Sequence, residues 1–201
     1  MRRLGPAAAL LLVLCAASPV PAQTLPEIIA ATQWGETSAD LLRRFGAAAT
    51  VLAKPLDFGD SYVDVVLRHV PLGGYPVIAY FQMDKTSRGL KRIQLERLRH
   101  AVNSAAFRAT AVALESEFGP PDRLCGVRPA PAGGYQEAAE RIWVRNGRTV
   151  RAIFRDTTIE AFEGCLATVG PCGLTAQLLV RISPEGADPP QCPAPPKRVR
   201  Q

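Results

Sequence analysis

The chain has 201 residues, with 24 Lys and Arg against 18 Asp and Glu, a formal net charge of +6. Its hydrophobic share of 47% is enough to build a core and excludes a wholly disordered polypeptide. The positive excess is too small to argue for a nucleic-acid partner.

The first element is an address. Met1-Arg2-Arg3 is followed by the apolar run Ala7 to Ala17 and then by Ser18-Pro19-Val20-Pro21-Ala22-Gln23. A charged start, an apolar stretch and a small-residue site make a secretory signal peptide, 1–22, with the cut expected between Ala22 and Gln23. The apolar run is shorter than the roughly 20 residues a membrane span needs. Cys15 lies inside that run behind the bulky Leu14, which does not fit a lipobox. Cleavage removes Arg2 and Arg3, and no later segment is long and apolar enough to span a bilayer. The expected location is periplasmic or secreted, and the Ala-, Arg- and Pro-rich usage associates the chain with a bacterial envelope.

Pro26 can open a short helix running to about Gln33, which Gly35 breaks. Thr37 or Ser38 then caps a second helix with Leu41, Leu42 and Phe45 on its apolar face and Gly46 at its end. Strands are predicted at about 61–70, 76–83 and 90–96, the first two joined at Gly73-Gly74. Asn103 caps a helix over about 104–118, stopped by Gly119-Pro120-Pro121. The segment RIWVRNGRTVRAIF then carries Asn146-Gly147, a strong hairpin signal that places Trp143 opposite Val150. A last strand is expected at about 174–183. The Pro-rich basic tail 184–201 lacks the apolar content to fold.

The two halves resemble each other. Phe45-Gly46 and Phe118-Gly119 each end a helix, and Ala79-Tyr80-Phe81 matches Ala152-Ile153-Phe154, both at an offset of 73. Leu90-Lys91-Arg92-Ile93 matches Leu179-Val180-Arg181-Ile182 at an offset of 89, so the second half carries an insertion, which holds Cys165 and Cys172. The expected fold is α+β: two αβββ units, about 23–98 and 99–183, in one compact domain 23–183. They would share a mainly antiparallel sheet with helices on one face. Two segments, GETSADLLRRFG and AFRATAVALESEFGPPD, carry a resemblance to the β-lactamase-inhibitor-like fold and to the small outer-membrane assembly lipoproteins (SmpA/OmlA-like). That resemblance implies a non-enzymatic binding module of the envelope. Two departures are the missing lipobox and the doubled unit.

Four cysteines remain after cleavage: Cys125, Cys165, Cys172 and Cys192. An even number in an oxidising compartment reads as two disulfides, and the wide spacings lack the close ligand pairs of a zinc site. Cys165 and Cys172 flank a segment with Gly170-Pro171, which favours a local bridge and leaves Cys125 for Cys192. A Cys125–Cys165 bridge is the alternative.

Catalysis finds little support. His69 and His100 are the only histidines, Glu115 and Glu117 point to different helix faces, and Asp57, Asp60 and Asp64 suit turn or surface roles. No cofactor motif is present, and Gly73-Gly74 joins strands instead of opening a helix. Hydrolysis by paired carboxylates and a structural envelope role are the alternatives to binding. Two surfaces are candidates. The basic run Lys85, Arg88, Lys91, Arg92, Arg97 and Arg99 could form an anion-binding edge, or simply a solvated rim. In the first hairpin, Val63, Val65 and Leu67 should share a face with Ile78 and Tyr80. Val66, Val77, Ala79 and Phe81 should form the other, a possible partner-binding sheet face. The partner is an unidentified protein or envelope component.

Overall fold

The computed structural model describes residues 23–97, 103–125, 136–156 and 176–187. Helix α1, Leu25–Ala31, begins where the Glu27 carboxylate accepts the Thr24 amide at 2.8 Å. Helix α2, Ser38–Phe45, is capped by Thr37, whose hydroxyl accepts the Asp40 amide while Asp40 accepts the Thr37 amide. This reciprocal exchange satisfies two N–H groups that the helix start leaves open. A single 3-10 turn, Gly46–Ala48, leads into the first strand. Helix α3, Ser104–Phe118, is capped by Asn103, whose side-chain oxygen accepts the Ala106 amide at 2.9 Å. Both α2 and α3 stop at glycines with positive φ, Gly46 and Gly119.

The strands are β1 (Ala49–Asp57), β2 (Ser61–Leu72), β3 (Tyr75–Asp84), β4 (Leu90–Glu96), β5 (Arg123–Cys125), β6 (Gln136–Arg145), β7 (Arg148–Asp156) and β8 (Ala176–Pro184). They form one antiparallel sheet in the order β1-β2-β3-β4-β8-β7-β6-β5. The architecture is α+β. Two meanders meet where the last strand of each pairs, Ile93 with Ile182 and Leu95 with Val180.

This sheet has eight strands instead of the expected six. The additional ones are its edges. β1 contains Lys54 and Pro55 and is exposed along most of its length, so it shows no alternation of apolar and polar residues. β5 is three residues long. Pro184, expected in the tail, closes β8 opposite Arg148, and the Glu185 amide donates to Gly147 O. Residues 188–201 lie outside the described residues.

Leu25, Ile28, Leu41, Phe45 and Leu114 bring all three helices onto one core with Val77, Ala79, Phe81, Ile93, Trp143, Val150 and Ile182. Phe45 stacks on Phe81 at 5.4 Å between ring centroids, a contact worth about 0.5–1.5 kcal/mol beyond burial. Trp143 pairs with Val150 across the Asn146-Gly147 turn, as the sequence predicts.

The face assignment of β2 differs from the sequence expectation. Leu67 pairs with Ala79 and Val70 with Val77, so two residues of β2 stand against one of β3. His69 takes up the extra residue at φ +60°. A second irregularity lies between Tyr62 and Val66. These shifts bring Val65 and Leu67 to the helix side with Val77, Ala79 and Phe81, and leave Val63 and Val66 opposite with Ile78 and Tyr80. Val66 therefore does not share a face with the other three residues of the proposed surface.

Candidate functional site

The basic run occupies the β3–β4 turn and strand β4, where three aspartates meet it. Lys85 pairs with Asp57 at 2.9 Å, while Lys91 and Arg92 both pair with Asp60 at 2.9 Å. Lys91 also lies 3.7 Å from Asp84. Arg88 and Arg97 lie over the rings of Tyr62 and Tyr75. Partial burial of Asp60 works against its charge. The hydrogen bond from Lys91, the attraction of Arg92 and the Ser61 hydroxyl outweigh it and hold the carboxyl down at about 2. Lys85, Lys91 and Arg92 are thus compensated by carboxylates, while Arg88 and Arg97 rest on aromatic rings. Arg99 and His100 lie outside the described residues.

The sheet face away from the helices carries a polar row. In β4, β7 and β8 the polar residues alternating with the helix-side core are Arg92, Gln94 and Glu96, Thr149 and Arg151, and Arg181 and Ser183, in line with the apolar Ile153 and Leu179. Gln82 donates to Gln94 at 3.3 Å, Gln94 donates to Glu96 at 3.0 Å, and Arg181 donates to Gln94 at 3.1 Å. Gln177 also donates to Glu96, and Arg92 donates to Gln82. Further along, Arg151 pairs with Glu140, and both side chains are almost wholly buried. The Tyr80 hydroxyl beside this row is pushed up by burial and by Glu96. A buried row of this kind holds strand register, because a one-residue slip would strand its charges. Of these residues the sequence singles out Arg92 alone as a site candidate, and as part of the basic run. The signal for the rest is the alternation of Arg92, Gln94 and Glu96 with the apolar Ile93 and Leu95.

Val66, Val77, Ala79 and Phe81 are all buried within the chain. Leu52, Phe58 and Tyr80 pack against Val63, Val66 and Ile78 on the side away from the helices. The exposed large apolar side chains are Val51 and Leu56 on β1, at 61% and 43% exposure, Leu124 on β5, Val144 on β6 and Val112 on α3. The β1–β2 ladder breaks between Val51 and Leu56.

No family model, curated protein or solved structure matches the chain.

The remaining sequence candidates fall in separate places. Asp64 accepts the Ser38 hydroxyl at 2.8 Å, tying β2 to α2. Glu115 lies 3.8 Å from Arg141, and His69 is the exposed bulge residue. Cys125 is in a disulfide, and Cys165, Cys172 and Cys192 lie outside the described residues, as does Ala22; Gln23 is the first residue described. Among the described residues, no group of three or more His, Cys, Asp or Glu could hold a metal, and no helix is long and apolar enough to cross a membrane. Asp40, Asp57 and Asp84 are shifted down, like Asp60, by hydrogen bonds to neighbouring side chains and amides, which suits pairing and capping. General-acid work needs the opposite shift.

Proposed function

We propose that this chain is an exported binding module of the cell envelope that meets a protein partner along the β1 edge of its sheet. The observation that carries this reading is the exposure of Val51 and Leu56, two large apolar side chains on one edge strand, while Val66, Val77, Ala79 and Phe81 of the two sheet faces are buried internally. Lys54, Pro55 and the broken ladder make β1 a poor template for strand addition, so the partner would engage side chains more than backbone. The N-terminal pattern of charge, apolar run and small residues supports export, and a disulfide at Cys125 suits an oxidising compartment.

The module is a duplicated unit in this reading. Its support is the equal closing register of two hairpins whose turns stand 73 residues apart. Leu72 pairs with Tyr75 and Val70 with Val77, while Arg145 pairs with Arg148 and Trp143 with Val150. The last strands agree less closely. Phe81 stands beside Ile93, whereas its counterpart Phe154 stands beside Leu178, four residues short of Ile182. An even slip keeps the same face inward, so each last strand can still close its own meander. Each unit is then a helix followed by four strands.

The test is site-specific photo-cross-linking in intact cells, with p-benzoylphenylalanine at Val51 and, as a control, at the exposed Val112 of α3. A discrete protein adduct from position 51 that is missing from 112 and lost with Leu56→Asp is the expected result. No adduct at 51, or the same adducts at both positions, overturns the edge reading. Unprocessed protein in the cytoplasm would overturn export.

A further inference from the structure

The turn of the first hairpin is pressed against a helix. A Cβ placed on Gly73 would lie 2.6 Å from the backbone of Ala109 in α3. The turn of the second hairpin is not closed in this way. Between it, α1 and the end of α3 lies a cleft of about 270 Å³. Pro26, Ile29 and Ala30 of α1 and Phe118 of α3 form its apolar lining.

The two arginines that line it have different duties. Arg145 is committed to the end of α3: its Nε donates to Phe118 O at 2.9 Å, its Nη2 to Pro120 O at 3.0 Å and its Nη1 to Asp122 at 2.6 Å. Arg148 is not so engaged. Its guanidinium lies 6.0 Å from the centre of the Trp34 ring, and no carboxylate among the described residues pairs with it. A cation beside apolar side chains in one cleft is complementary to an anion carried on an apolar body. Glu117, which also lines the cleft, would repel a second negative charge on that body.

We propose that this cleft binds a small apolar molecule bearing a single carboxylate, either a free acid or the C-terminal residue of a peptide, with the carboxylate on Arg148 and the apolar body against Ile29 and Phe118. The inference is independent of the β1 edge. Trp34 supplies the readout, because Arg148 lies over it while Trp143 is fully buried. The whole exported protein is titrated with 3-phenylpropionate, with acetyl-Ala-Phe and with phenethylamine, by Trp34 fluorescence and by calorimetry.

Saturable binding of a carboxylate probe is expected, weakened about tenfold or more by Arg148→Gln and unaffected by Arg68→Gln, an exposed position outside the cleft. Phenethylamine should not bind. Tighter binding of acetyl-Ala-Phe identifies a peptide terminus as the source, and tighter binding of 3-phenylpropionate a free acid. Ala30→Phe, at an exposed α1 position on the cleft lip, should block binding by calorimetry even where Arg148→Gln folds poorly. Equal affinity in Arg148→Gln, binding of phenethylamine as tight as that of the acids, or no saturation by either acid overturns the proposal.

Discussion

Gly73 and Gly74 close the same turn and both have positive φ, yet they are not equivalent. Around Gly74 a Cβ would meet nothing within 4 Å, whereas at Gly73 it would meet the α3 backbone at 2.6 Å. Gly74→Ala should therefore cost only the left-handed backbone penalty, about 1–2 kcal/mol. Gly73→Ala adds a collision with backbone that cannot rotate away, for a total of about 2–4 kcal/mol. Urea unfolding of the two variants checks this, and equal midpoints would remove the close approach from the account. The turn itself was legible in the sequence, because paired glycines have a local conformational meaning. The approach of α3 was not, since Ala109 is far away along the chain.

At the scale of elements, the ion pairs around Asp60 join the β1–β2 turn to β4. The carboxyl is held at about 2 against an ordinary value of 3.8, since Lys91, Arg92 and Ser61 outweigh its partial burial. A depressed native value means that the pairs stabilise the fold above about pH 4 and that this contribution is lost as pH falls towards 2. Stability to urea should drop across that window, and Asp60→Asn should show a shallower drop with a lower starting point at pH 7. Asp57 and Asp84 shift in the same direction, so part of the slope remains in the variant. A slope identical to that of the parent would remove Asp60 from this role. The β2 bulge belongs to the same scale. Alternation along β2 predicts one set of faces, and the extra residue at His69 exchanges them for Leu67. Nothing in the local sequence marks that bulge, because histidine is an ordinary strand residue until its φ turns positive.

For the whole molecule, the sheet depends on the junction of β4 with β8, which among the described residues is the only place where the two meanders share a ladder. Gln94 with Arg181, and Glu96 with Gln177, bind that junction on its polar side, while Ile93 and Ile182 lie in the helix-side core. Cys125 lies on β5, at the sheet edge far from the junction. A bridge from Cys125 to Cys192 would tie the C-terminal tail to that edge, and with it goes a local Cys165–Cys172 bridge. Non-reducing peptide mapping of the exported protein should recover these two linked peptides. A Cys125–Cys165 peptide would refute the pairing. The long-range bridge should stabilise more than the short loop, by roughly 2 kcal/mol on chain-entropy grounds, as judged by urea unfolding of the two paired Cys→Ser variants.

The sequence alone determined what is local. It placed β4 at 90–96, α3 at 104–118 and the hairpin register that sets Trp143 against Val150. Caps, glycine stops and positive-φ turns carry those features within a few residues, so they can be read without the rest of the chain. Tertiary structure decided what depends on distant partners. It recruited Ala49–Asp57 as an edge strand despite Lys54 and Pro55, because one side of a strand suffices at an edge. It also paired Lys85, Lys91 and Arg92 of the basic run with Asp57, Asp60 and Asp84, aspartates whose approach the run itself does not announce. Finally, it buried Val66 on one face and Val77, Ala79 and Phe81 on the other, since the bulge and the helices that separate them are invisible to strand periodicity.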